Sequence, residues 1–115
     1  MRKRRRSKVK AALTGSAPVF AALGDDTRLR LVIRLSRDGP MSIVQLTAGF
    51  AITRQAITKH LRVMENAALV RSMPQGRESV WELEQKRLSE ARRHLDTISA
   101  QWDETLGRLK NFVER

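Results

Sequence analysis

Ser42-Ile-Val-Gln-Leu-Thr-Ala-Gly49-Phe-Ala-Ile-Thr53-Arg-Gln-Ala-Ile-Thr-Lys-His-Leu-Arg-Val-Met-Glu-Asn66 is the stretch whose reading decides the fold. Ser42 with Gln45 three residues later has the pattern of a capping box, in which side chain and backbone satisfy each other at a helix start. Ile43, Leu46 and Thr47 give that helix an inner face, and it ends near Gly49. Phe50-Ala51-Ile52 makes a turn, and Thr53 is placed to cap a second helix from Arg54 to Asn66. Helix, short turn and helix together predict a helix-turn-helix. Turned at about 100° per residue, Ile57, Leu61, Met64 and Ala68 share one face and point inward. Gln55, Lys59, Arg62 and Asn66 share the opposite face, flanked by Thr58 and free of acids. Amide, hydroxyl and cationic groups of this kind match base edges and phosphates in a major groove. Any surface helix shows a polar face; its place between a turn and a hairpin selects the DNA-reading one.

Upstream, Ala17 to Leu23 is a short apolar patch with Val19, Phe20 and Leu23 at helical spacing. Gly24 breaks it, and Asp25 or Asp26 caps a further helix running to Ser36 that Asp38-Gly39-Pro40 stops. Downstream, Leu69–Met73 and Glu78–Leu83 read as strands flanking a four-residue connection, Pro74-Gln75-Gly76-Arg77. This hairpin is the expected wing, with Gln75, Gly76 and Arg77 at its tip. Arg77 there suits a narrow minor groove or a phosphate, or serves only as a solubilising turn residue. From Glu84 onward Leu88, Ala91, Leu95, Ile98, Trp102, Leu106, Leu109 and Val113 recur every three or four residues. They predict one amphipathic helix about 40 Å long. So small a body cannot cover that stripe, so a homodimer seam is expected, built from Phe20, Leu23, Leu95, Ile98, Trp102, Leu106 and Leu109. The fold class is mainly α with a small β-hairpin: a winged helix-turn-helix with a long C-terminal dimerisation helix. The expected organisation is a flexible basic arm over 1–15, the DNA-binding domain over 16–83 and the dimerisation helix over 84–115.

The charge balance agrees with a nucleic-acid partner. The chain of 115 residues carries a net +11, from 23 Lys and Arg against 12 Asp and Glu. Seven of the basic residues (Arg2, Lys3, Arg4, Arg5, Arg6, Lys8 and Lys10) lie in the first ten positions, leaving 16 against 12 in the rest. That arm is placed to track phosphates or a minor groove, to raise non-specific affinity, or to act as a solubilising tail. There is no cysteine, so thiolate metal sites and disulfides are excluded. No apolar run reaches the roughly 18 residues of a membrane span, and a soluble cytoplasmic protein is expected. No nucleophile and base stand in a catalytic arrangement and no Gly-rich phosphate loop is present, so an enzyme is not expected, nor a cofactor. Five aromatic residues (Phe20, Phe50, Trp81, Trp102 and Phe112) offer no stacking platform for RNA.

Four pieces in fixed order carry a family resemblance: Phe20-Ala-Ala-Leu-Gly-Asp-Asp-Thr-Arg28, Thr53-Arg-Gln-Ala-Ile-Thr-Lys-His-Leu61, Asn66-Ala-Ala-Leu-Val70 and Gly76-Arg77. Residues 17–115 resemble the ArsR/SmtB family of bacterial winged-helix repressors, in its cysteine-free branch. The resemblance implies a homodimer on an inverted-repeat operator in double-stranded DNA. It places Gln55, Thr58, Lys59 and Arg62 in recognition, with Arg54 beside them, and Ser42 and Thr53 at helix N-termini near phosphates. His60 matches the family's run before Leu61 and takes a structural or phosphate role. Metal-sensing members carry a Cys-x-Cys pair, where this chain has Ser42-Ile-Val-Gln-Leu-Thr47, or paired ligands on the last helix, where it has a lone His94. No metal is therefore expected and the effector stays open. The alternatives are a winged-helix protein-interaction module and a metal-responsive repressor with an atypical site.

Overall fold

The computed structural model describes residues 15–114. The expected arm lies outside these residues except for Gly15, which is already helical. Helix α1 is described over residues 15–23 and sends Val19 and Ala22 into the core. Asp25 is extended (φ −111°, ψ 134°), and its carboxylate accepts from the Arg28 N–H at 3.0 Å, starting α2 over Asp26–Asp38. Leu31, Val32 and Leu35 are its buried face. The helix stops at Gly39, whose φ of 80° suits a residue without Cβ.

Strand β1 (Met41–Ser42) was not foreseen; it leads directly into α3 (Ile43–Thr47). The capping box is present, with Gln45 N–H on Ser42 Oγ at 3.3 Å and Ser42 N–H on Gln45 Oε1 at 2.9 Å. Helix α4 covers Arg54–Asn66, and Thr53 Oγ1 accepts from the Ala56 N–H at 3.1 Å. Its buried residues are Ile57, Leu61 and Met64. Ala68, assigned inward from the helical wheel, is exposed instead. The helix ends before it: Ala68 takes a left-handed φ of 60°, its N–H bonds to Glu65 O (2.9 Å) and the Leu69 N–H to Met64 O (2.9 Å). That pair of bonds is a Schellman motif, and the reversal turns Ala67 and Leu69 into the core in place of Ala68.

Strands β2 (Val70–Gln75) and β3 (Glu78–Leu83) form the hairpin, and the sheet order is β1-β3-β2, antiparallel throughout. The connection is two residues, Gly76 and Arg77, shorter than the four expected: Gln75 pairs with Glu78 and Pro74 with Ser79. Pro74 belongs to the strand because β2 is an edge, where a missing N–H removes no inner ladder bond. Gly76 alone takes a positive φ (65°), the arrangement of a II′ hairpin turn. Trp81 and Leu83 point from β3 into a core shared with Leu31, Leu46, Ile57, Leu61, Met64 and Leu69.

Helix α5 (Gln85–Val113) is 29 residues long. Only Ala91 on it is fully buried, and Leu88 packs on the core edge. Arg87 ties its first turns down by donating to the carbonyls of Gly15 (2.8 Å) and Ala67 (3.3 Å), and Ser16 hydrogen-bonds His94. The rest of the helix extends past the domain.

Candidate nucleic-acid interface

The first turns of α4 face outward, and the wing stands beside them. Thr53, Arg54, Gln55 and Lys59 are exposed. Thr58 is partly exposed and its hydroxyl donates to Arg54 O at 2.8 Å. Arg54 and Lys59 form no ion pair among the described residues, so their charges are free to meet an anion. A groove of about 460 Å³ runs between α4 and the wing, lined by Ser42, Ile43, Val44, Arg54, Gln55, Thr58, Glu78 and Ser79.

Several expected site residues are thus together. Ser42 is nearly buried with its hydroxyl committed to the cap, so it sets the start of α3 rather than offering a free group. Gln75, Gly76 and Arg77 are exposed at the wing tip, and Arg77 likewise has no acidic partner among the described residues. Val44, Glu78 and Ser79 were missed as groove residues. Val44 is an exposed apolar side chain at the start of α3, and only the two-residue strand β1 brings that turn against the wing root.

Two of the expected site residues also have partners within the chain. Arg62 donates to Glu65 Oε1 at 2.9 Å, and its guanidinium lies 5.4 Å from the centre of the Trp81 ring. Glu65 also accepts from Ser72 Oγ at 3.3 Å, so Arg62 belongs to a network that joins α4 to the sheet. His60 is half-buried against the start of α2, with Nδ1 3.3 Å from Arg28 Nη1 and 3.8 Å from Asp25 Oδ2. Asp25 is held below the usual carboxylate range, first by the hydrogen bond from the Arg28 N–H. A carboxyl with a depressed pKa favours the fold above its unfolded pKa, and this contribution fades as pH falls through the lower folded value.

The candidate dimer residues fall into two groups. Phe20 and Leu23 are half-buried against the core. On α5, Leu95 (51%), Trp102 (62%), Leu106 (46%) and Leu109 (55%) are exposed and Ile98 is half-buried. Phe112 (76%) and Val113 (80%) continue the same stripe.

Residues 23–72 match the family model for a helix-turn-helix domain. An HTH-type transcriptional regulator of Mycobacterium tuberculosis is 36% identical over 77 residues, 67% of this chain and 71% of that protein. The solved structure of an ArsR-like transcriptional regulator from Rhodococcus sp. RHA1 superposes with a TM-score of 0.76 at 34% identity, covering 89% of this chain and 95% of that one. The homodimeric winged helix-turn-helix DNA-binding domain of a Mycobacterium bovis protein shares the fold, with a TM-score of 0.62 at 19% identity over 86% of this chain and 88% of that one.

Proposed function

The chain belongs to the ArsR family of winged helix-turn-helix transcriptional regulators, and from that premise we propose that it is a homodimeric repressor reading an inverted-repeat operator in duplex DNA. The observation that carries this reading is the outward face of α4. Arg54 and Gln55 line a groove with Thr58 beside the wing, Lys59 is exposed one residue on, and none of the cations among them is paired with an acid among the described residues. Gln55 and Lys59 are the base-reading pair, since an amide can bond adenine twice and an ammonium reaches guanine acceptors. Thr53, Arg54 and Arg77 hold phosphates or the minor groove and set the register. The exposed stripe of α5 pairs two copies, as the M. bovis domain is homodimeric. Pairing sets the recognition helices about one DNA turn apart, ~34 Å.

The side chains within one subunit offer no support for a metal-responsive mechanism. The chain has no cysteine, and no three His, Asp or Glu gather among the described residues. His94, the one histidine on α5, spends Nδ1 on Ser16.

The test is fluorescence anisotropy of the full chain on its own upstream duplex and on a scrambled duplex of equal length, across a salt series. Preference for the upstream duplex that survives moderate salt, with two chains per duplex, is expected. Equal affinity for both, lost steeply with salt, overturns autoregulation and reduces the binding to counterion release.

A further inference from the structure

Helix α1 and the recognition helix are joined through one side chain. Arg28 on α2 donates from Nε to the Ala22 carbonyl near the end of α1 (2.7 Å) and from Nη1 to His60 Nδ1 on α4 (3.3 Å). Its own backbone N–H is fixed by Asp25 Oδ2 at 3.0 Å. A guanidinium can only donate, so this contact is a hydrogen bond when Nδ1 is bare and the ring proton sits on Nε2. Ala22 lies between Phe20 and Leu23, the two residues of α1 assigned to the dimer seam.

We propose that Arg28 and His60 are positioning residues for DNA binding, carrying the seating of α1 in the dimer to the azimuth of α4. The proposal rests on the DNA reading above. The buried contacts of α4 come from Ile57, Leu61 and Met64, and apolar burial is non-directional. Such contacts fix the helix's rotation less sharply than hydrogen bonds do; the Glu65–Ser72 bond ties the C-terminal half of α4 to the sheet, and Arg28 ties its middle to α1 and α2. A planar guanidinium that donates from Nε on one edge and Nη1 on another is directional, and it reaches both helices at once. His60 stands one residue after Lys59, so a small turn of α4 about its axis moves Gln55 and Lys59 across the groove. A shift of α1 that withdraws the Ala22 carbonyl frees Arg28 and releases that constraint.

The experiment compares wild type with His60→Gln, His60→Leu, Arg28→Lys and the double variant Arg28→Lys/His60→Leu, all in the full chain on the upstream duplex. Glutamine keeps an acceptor for Arg28, so His60→Gln is expected to bind within about threefold of wild type. His60→Leu and Arg28→Lys are each expected to lose about tenfold with the dimer intact by sedimentation. The double variant loses no more than either single one, since both break the same link. Long-range 1H–15N NMR of the free protein should show the His60 proton on Nε2. A proton on Nδ1, wild-type affinity in His60→Leu, or additive losses overturns the proposal. Equal losses in His60→Gln and His60→Leu also overturn it, by making His60 a direct DNA contact. A wild-type chain without specific binding sinks the DNA reading itself; the tautomer and the pairwise coupling in thermal unfolding then still decide whether the link exists.

Discussion

Single side chains on α4 divide into those proposed to meet DNA and those that hold the helix, and adjacent residues fall on different sides of that division. Gln55 is exposed and borders the groove, so Gln55→Ala is expected to cost about 1–3 kcal/mol on the operator and nothing on scrambled DNA. Arg77→Ala should instead weaken both duplexes alike and lower the slope of log affinity against log salt by about 1. Anisotropy over a salt series separates the two; a sequence-blind loss in Gln55→Ala would remove it from base reading. Arg62 behaves differently from its place on the helical wheel. It lies over the Trp81 ring and pairs with Glu65, and at this exposure the two contacts are worth about 1 kcal/mol together. Arg62→Ala is therefore expected to lower the melting midpoint by roughly 4 °C while operator affinity changes less than threefold. An unchanged midpoint with lost binding would return Arg62 to the recognition face. The sequence could not make that distinction, because the ring under Arg62 comes from β3, nineteen positions away along the chain.

Helix ends and turns show where local sequence is enough and where tertiary contacts decide. The capping box at Ser42 and Gln45, the Thr53 cap and the start of α2 at Asp25 were legible because each satisfies free backbone groups within one turn. Strand β1 was not: two residues carry no period, and their pairing partners Val80 and Trp81 lie about forty positions downstream. The wing turn was overestimated because Pro74 reads as a turn residue until its edge position is known. The end of α4 at Asn66 was legible, but Ala68 was turned inward for a related reason. A left-handed cap is ordinarily announced by Gly, and here alanine occupies it. That substitution leaves strain in the fold, because a Cβ in this conformation costs about 1–2 kcal/mol. Ala68→Gly is thus expected to raise stability, by about 1 kcal/mol once the extra chain entropy of glycine is set against the relief. Chemical denaturation measures it directly, and a destabilised Ala68→Gly would mean that the cap is not left-handed in solution.

The whole molecule is longer than its own core can account for. Its radius of gyration is 18.5 Å, whereas a compact chain of this length has about 13 Å. The difference lies in α5, which runs beyond the last core contact near Ala91 and carries Leu95, Trp102, Leu106, Leu109, Phe112 and Val113 exposed. A monomer seldom leaves an apolar stripe of this extent in water, and we propose that a second copy of the same helix covers it at the spacing that near-heptad residues prefer. Two tryptophans make this measurable in one sample. Trp81 is buried in the subunit core and reports a constant background, while Trp102 is 62% exposed in the subunit and would be shielded in the proposed pair. Dilution of the full chain should therefore shift the Trp102 emission to the red with the midpoint of the dimer dissociation constant, while Trp81→Phe leaves the shift in place and Trp102→Phe abolishes it. The variant Leu106→Glu/Leu109→Glu, which places four carboxylates in the seam of a pair, should emit at the red position at every concentration and sediment as a monomer. Its α4 face is unaltered, so it retains salt-sensitive binding to any duplex and loses the preference for the inverted repeat, since a single recognition helix no longer has a partner one turn away. A variant that stays dimeric, or a wild-type emission that ignores dilution while sedimentation shows the dimer dissociating, would move the dimer contact off α5 and leave its stripe to some other surface.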